Sequence, residues 1–378
     1  MADKSRFPRA GELVYLDTAA EGLPPVEAAE ALMAYYADKA AGTPGRRRLY
    51  EREQSTKCAL AALLGTAPEN VALLGSASDG LNLLANSIDW RAGDEILIHD
   101  LEFPSNVLVW LRLRSRGVRI RLVRSEAGLV PFERFAEALS PATRLVSVSA
   151  VSYKTGTFLP YLSELAREVH RRGGIFCVDA TQALGRLPLA LDGVDFLVSS
   201  SYKWLLGVHG AAVVYLAPAL RERLHPATIG WYSVREIFRP DRFERYEFKP
   251  GAARLVAGMP NFPSIYALGC GVETLLVTGV EWLAHHLAPV VAGLRGRLQA
   301  LGLTLLTPAD PACASGIVSF AHPAAERIGA ELERRGVVVW AGDGRVRFSV
   351  HLYNDQADVD RALAALEEAL ETLEVNQE

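Results

Sequence analysis

VDFLVSSSYKWLLGVHGAAVVY, residues 194–215, is the stretch whose reading decides the fold. An apolar run at 196–200 ends in serines, a tyrosine and Lys203, and a glycine-bearing loop then leads into a second apolar run at 211–215. Neither run alternates in polarity and turn residues bound both, which reads as strands covered on two faces. The same pattern repeats upstream, predicting strands at 70–74, 95–99, 118–123, 145–150 and 175–179. Helix-like segments separate them at 80–88, 106–116, 161–172 and 181–184. Apolar strands alternating with helices predict a layered α/β domain built on parallel strands.

Further along the chain the pattern changes. HPATIGWYSVREIFRPDRFERYEFKPG (225–251) is rich in aromatic residues, Pro and Arg and has no clear period. Irregular stretches of this length in compact domains are often functional. A long amphipathic segment follows at 264–300, then a smaller β/α region with strands at 316–320, 337–340 and 346–350 and helices at 324–335 and 355–373. The expected division is an N-terminal segment, 1–20, packing on the smaller domain, a large α/β domain, 21–262, and a C-terminal α+β domain, 263–378.

Composition narrows the function. Half of the 378 residues are hydrophobic, and 40 basic against 44 acidic residues give a formal charge of -4. No basic field points to nucleic acid, and the short run Arg46-Arg47-Arg48 does not change that. Cys58, Cys177, Cys270 and Cys313 form no CxxC pair and no metal-ligand spacing, and such scattered thiols suit a reducing compartment. The N-terminus is polar, and no window approaches the roughly 18 apolar residues a bilayer span requires. The expectation is a cytoplasmic protein with no membrane, nucleic-acid or metal partner.

Chemistry concentrates at strand ends, where open α/β sheets bind ligands. A lysine there, with hydroxyls just before it, could form an imine while those hydroxyls accept a phosphate. Alone, Lys203 would be an exposed lysine in a polar turn. IFCVDATQALG (175–185) is another apolar strand, ending in Asp179. A buried carboxylate needs a partner, and the protonated ring nitrogen of pyridoxal 5'-phosphate would be one. Alone, Asp179 is more often a helix N-cap, since Thr-Gln-Ala-Leu could start a helix.

The strand-Asp-x-x-Gln element, the Ser-x-x-Lys element and their spacing resemble the class V aminotransferase group of fold type I pyridoxal-phosphate enzymes. That group includes cysteine desulfurases, selenocysteine lyases, kynureninases and isopenicillin N epimerase-like proteins. The resemblance runs from VYLDTAAEGLPP (14–25) to VRFSVHLYN (346–354). It implies the three-layer fold of that group and a homodimer with cofactor sites at the subunit boundary. It also implies that Lys203 carries the cofactor as a Schiff base, that Asp179 pairs with the pyridine nitrogen, and that Gln182 lies near the ring's phenolic oxygen. SASDGLNLLAN (76–86) resembles the family's phosphate-holding turn, placing the Ala77 N–H and Ser78 at the phosphate at a helix N-terminus. Ser200 and Tyr202 complete that cup. Alone, Ser78 is a helix cap.

LEFPSNVLVW (101–110) is similar to the segment that packs a ring over the cofactor, with Phe103 at the stacking position and a core aromatic as its plainer reading. Cysteine desulfurases have His there; Phe stacks but exchanges no proton, which leaves acid–base work to Lys203. Arg347 is similar to the arginine that grips the substrate α-carboxylate, a task suited to its planar fork; without the resemblance it reads as a solvated strand residue. AGMPNFPS (257–264) is similar to a family turn that usually reads Gly-Thr-Pro, with Met259 in place of the threonine that reaches the partner's cofactor.

The desulfurase chemistry needs a cysteine on a mobile loop shortly before that arginine, and residues 331–345 contain none. SAVSYKTG (149–156), SYKW (201–204) and GWYS look more like kynureninase-type sequences. The leading expectation is an aminotransferase or β-eliminating lyase acting on a small amino acid. A kynureninase-like hydrolase or an epimerase comes next, then a cysteine desulfurase, with a non-catalytic cofactor-binding relative as the opposing class.

Overall fold

The computed structural model describes residues 4–375; residues 1–3 and 376–378, which fall in the outer ranges of the expected domains, lie outside them. Strand β1 (Val14–Tyr15) belongs to the N-terminal segment. The central sheet is made of β2 (Val71–Leu74), β3 (Glu95–His99), β4 (Arg119–Val123), β5 (Thr143–Ser149), β6 (Ile175–Asp179), β7 (Phe196–Ser200) and β8 (Ala212–Leu216). Their spatial order is β2-β8-β7-β6-β5-β3-β4.

Successive side chains of these strands enter two different cores, as the two-residue period of a strand requires. Val146, Phe176, Val178, Leu197 and Val213 join one apolar cluster. Leu145, Ile175, Cys177, Val198 and Val214 join the other. Helices Leu162–Arg171 and Phe262–Thr278 contribute to the first core, and Ala77–Asn86 and Ser105–Leu111 to the second. Three layers result. At the β4 edge, Arg119 and Arg121 pair with Glu95 of β3, a charged fringe that discourages further strand addition.

The smaller sheet is antiparallel, with β9 (Thr304–Leu305), β10 (Ile317–Ala321), β12 (Trp340–Gly342) and β13 (Arg345–Ser349) in the order β12-β13-β10-β9. Strand β11 (Val337–Val338) instead pairs in parallel with β1. The chain continues from β1 alongside β13, where Asp17 bridges Ser349 and the Leu16 carbonyl accepts from the Ser349 N–H at 2.7 Å.

Four expectations need correction. β8 runs antiparallel to both of its neighbours, so the central sheet is mixed. The short connection from Lys203 returns the chain directly beside β7, which only an antiparallel partner permits. Residues 181–184 make a single turn closed by the Leu184 N–H to Ala180 carbonyl bond, not a helix. The segment 264–300 is two helices, Phe262–Thr278 and Val280–Ala300, bent by 75° at Gly279. The strand expected at 337–340 splits between two sheets. Among the described residues no single helix is long and apolar enough to cross a membrane.

Helix Ala77–Asn86 rides close on β7 and β8 because residue 80 is glycine: an added Cβ would lie 2.7 Å from Val198 Cγ1 and 3.2 Å from Val214 Cγ2. Gly→Ala in a helix interior ordinarily gains about 1 kcal/mol. Here overpacking should reverse the sign, so Gly80→Ala is expected to destabilise by about 1–3 kcal/mol in denaturant titrations. Val198→Ala in the same chain should restore part of the loss. A neutral or stabilising Gly80→Ala would mean that the helix can lift off the sheet without penalty.

Candidate active site

β2, β3, β5, β6 and β7 all run the same way, so their carboxyl ends share one edge of the sheet. That edge forms a cleft of about 540 Å³. Ala77, Ser78, Phe103, Asp179, Gln182, Ser200, Tyr202 and Lys203 all line it. Arg347 reaches the same region from β13, its Nη1 donating to the carbonyl of Tyr153, itself a lining residue, at 3.0 Å.

Each position has a local cause. Ser76 caps helix Ala77–Asn86 by accepting from the Asp79 N–H at 3.1 Å, which fixes the helix start at the cleft. The amides of a first helical turn have no intrahelical acceptor and carry the positive end of the helix dipole. Asp179 ends β6, buried, and accepts from the Thr181 N–H at 2.9 Å. Burial pushes its carboxyl above the usual range, and Glu102 adds to the rise. Gln182 is held at both ends: its Nε2 donates to the Ala19 carbonyl at 2.9 Å, and its Oε1 accepts from Trp204 Nε1 at 2.6 Å. One amide hydrogen remains for a ligand.

Lys203 follows β7 and is buried, with Nζ 5.4 Å from the Phe103 ring centroid and 5.6 Å from that of Tyr202. Burial first, and the Arg347 charge second, lower its pKa to about 8, against the pull of Asp179, Glu21 and Asp17. Tyr202 stacks on His209 with ring centroids 4.2 Å apart. Phe103 stays partly exposed over the cleft, meeting Tyr153 edge to face.

Several contributors were not singled out from the sequence. Glu102 fastens the Phe103 segment to the end of β5: its Oε1 accepts from the Ser149 N–H at 2.6 Å, and its Oε2 accepts from Asn106 Nδ2 at 2.8 Å. An acid inside the apolar run around 101–110 was the available signal. Asp17 bonds Arg347 Nη2 at 3.3 Å. Desolvation raises the Asp17 carboxyl to about 6 despite the arginine beside it. Trp340 lies with its ring centroid 5.4 Å from the Arg347 guanidinium carbon and 4.2 Å from that of Arg345. Arg347 Nε is buried and has no hydrogen-bond partner among the described residues.

Asn261 does not approach the cleft lining. It caps helix Phe262–Thr278 by accepting from the Ser264 N–H at 3.4 Å.

The sequence profile of the family described as "Aminotransferase class-V" matches residues 14–362. The chain belongs to that family. It is a pyridoxal-phosphate-dependent enzyme, of the transferase or lyase kind. Among class V relatives, a protein of Pseudomonas aeruginosa named "Probable cysteine desulfurase" is 31% identical, the alignment covering 96% of this chain and 94% of the relative. In fold, the chain is similar to the apo cysteine desulfurase of Thermococcus onnurineus, with a TM-score of 0.90, 23% identity and coverage of 98% and 97%. It is also similar to a cystine C–S lyase solved with its product cysteine persulfide, with a TM-score of 0.86, 23% identity and coverage of 95% and 98%.

The residues present fit the class V cofactor. Among the described residues Asp179 makes no salt bridge, so a buried carboxylate is left facing the cleft for a protonated ring nitrogen. Lys203 likewise presents an amine free of any ion pair, and serine hydroxyls and helix-start amides supply donors for a phosphate.

In the cofactor-free protein the Lys203 amine should titrate near 8. Below that pH it is protonated and inert; above it, it is free to react. Labelling by an amine-directed reagent, read at Lys203 by peptide mapping across pH 6–10, should show its inflection about two units below an ordinary lysine. Arg347→Ala should move the inflection upward, because it removes a neighbouring positive charge. An inflection near 10.5 in the unmodified protein would contradict the buried placement.

Proposed function

We propose that this class V enzyme is a β-eliminating lyase that acts on a small amino acid carrying a leaving group at Cβ, without using a thiol of its own. The supporting observation is the connection just before Arg347. Strands β12 and β13 are joined by a two-residue turn, Asp343-Gly344, with φ of 47° and 67°. Two successive residues with positive φ are the mark of a tight type I′ hairpin. A desulfurase thiol needs a mobile loop at this place, and the chain has a short turn with Trp340 packed on the arginines. None of the four cysteines lines the cleft. Burial raises the thiols of Cys177, Cys270 and Cys313, which makes them poorer nucleophiles.

Bound pyridoxal phosphate supplies an electron sink for the bonds at the substrate's Cα. The chain's own groups do the rest. Ala77, Ser78, Ser200 and Tyr202 hold the phosphate, Asp179 and Gln182 fix the ring, and Phe103 covers it. Arg347, oriented by Asp17 and the Tyr153 carbonyl, binds the substrate carboxylate. Lys203, whose amine loses its proton well below the pH of an ordinary lysine, takes the proton from Cα, and Phe103 leaves it no competitor. The β-substituent then departs with its proton, and water hydrolyses the released enamine to a 2-oxo acid and ammonia.

The relatives named as cysteine desulfurases and the structurally similar C–S lyase support a substrate whose β-substituent is sulfur. The expected result is release of pyruvate from β-substituted alanines such as cystine, with no 2-oxo acid co-substrate. Simultaneous replacement of Cys58, Cys177, Cys270 and Cys313 by Ser or Ala should retain it, apart from packing loss at Cys177. Arg347→Ala should raise KM about tenfold to a hundredfold with the cofactor still bound, and Asp179→Ala should abolish most turnover while some cofactor remains. Turnover that requires an added 2-oxo acid would assign transamination. Loss of sulfur release in the cysteine-free protein, with fold and cofactor intact, would assign desulfurase chemistry.

Assembly as a homodimer belongs to the same reading. Phe238 and Phe243 are each 85% exposed, and Trp231 and Tyr246 are exposed beside them. Clustered exposed aromatics of this kind mark interfaces. Light scattering should give twice the chain mass, and a monomer with full cofactor and activity would refute the dimer.

A further inference from the structure

A second cavity lies behind the catalytic cleft and shares no lining residue with it. It opens between helix Val280–Ala300 and the segment leading into β10, and encloses about 1200 Å³ of space continuous with solvent. Its walls are mostly apolar, with Leu187, Val291, Pro308, Pro311, Ile317 and Val318 prominent. Most of its polar lining is already engaged. Thr307 Oγ1 donates to the Thr155 carbonyl at 2.6 Å, Ser315 Oγ to the Gly156 carbonyl at 2.7 Å, and Arg295 Nε to the Pro308 carbonyl at 3.1 Å. Asp310 at the rim caps a short turn, accepting from the Ala312 N–H at 2.9 Å.

Among the buried lining residues Arg186 is the exception, while His285 stands exposed. It lines the cavity, is 1% exposed, and donates from Nε to the Val350 carbonyl at 3.0 Å. Its Nη1 has no hydrogen-bond partner. Among the described residues no carboxylate offsets its charge: burial lowers its pKa to about 10, which still leaves it ionised at neutral pH. A buried, uncompensated guanidinium is strongly unfavourable unless an anion meets it.

We propose that this cavity binds a small aliphatic monocarboxylate, its carboxylate accepting from Arg186 and its chain lying along Val291, Ile317 and Val318. One fully buried guanidinium amid apolar walls, with the half-buried Arg295 already bonded to the Pro308 carbonyl, suits a negative charge on an apolar body, and Asp310 at the rim disfavours a dianion. The site adjoins the catalytic machinery. A Cβ on Gly316 would meet Trp204 Cη2 at 2.7 Å and Arg186 Nε at 2.8 Å, so indole and guanidinium flank the same backbone. The indole in turn bonds Gln182 in the cleft.

Calorimetric titration of the cofactor-loaded protein with hexanoate tests the proposal, with 1-hexanol as the uncharged control. Hexanoate should bind, and 1-hexanol should bind about tenfold or more weakly, in line with loss of a charge-assisted bond. Arg186→Met should weaken hexanoate at least tenfold. Ala288→Trp, at an exposed position on the cavity wall, should do the same by filling the space, and does not depend on Arg186→Met folding. Arg347→Ala should leave hexanoate binding unchanged, which separates this site from the carboxylate contact proposed for the cleft. Three results would overturn the proposal: no binding of hexanoate, equal binding of 1-hexanol, or binding lost in Arg347→Ala but kept in Ala288→Trp.

Discussion

The backbone that follows Lys203 is clamped by close approaches that only glycine permits. An added Cβ on Gly22 would fall 1.9 Å from the Lys203 carbonyl oxygen, and one on Gly271 2.2 Å from that of Leu205. The first glycine comes from the stretch just after the N-terminal segment and the second from helix Phe262–Thr278. Leu206 within the clamped turn has φ of 58°, a conformation that a leucine adopts only when its surroundings impose it. The direction of the amine is therefore set by parts of the chain far from it in sequence. With the amine fixed, its surroundings can tune it: burial and the charge of Arg347 both lower its pKa.

A second consequence is that opposite charges in the cleft remain unpaired. Asp179 and Lys203 influence each other without forming a salt bridge among the described residues. Direct pairing would neutralise the two groups that the cofactor engages. Separation keeps both available, and the fold bears the desolvation penalty through the layered packing on either face of the sheet.

Much of the fold was legible because apolar runs flanked by turn residues are local signals. The strands at 95–99, 175–179 and 196–200 stand where the sequence placed them. The orientation of β8 was not legible, since an apolar strand reads alike in either direction. Nor was the single turn at 181–184, where Asp179 supplies a capping bond but the chain leaves the helical path at once. Within the cleft, residues belonging to short motifs could be named in advance. Asp17, Glu102 and Trp340 could not, because each acts through a partner brought near by tertiary structure: Arg347, Ser149, and the two arginines of β13.

The parallel pairing of β1 with β11 and the Asp17 contact with Arg347 have a bearing on how the protein is made. During synthesis β1 lacks its β11 partner until residues 337–338 emerge, and the guanidinium that Asp17 steadies follows a few residues later. The amino-terminal segment must therefore wait, unpaired, through synthesis of the central sheet and of both long helices. Contacts this far apart in sequence are slow to form. The central sheet can form earlier, yet the Asp17–Arg347 contact cannot form until residue 347 has been made, so a nascent chain that stops short of it lacks that part of the site.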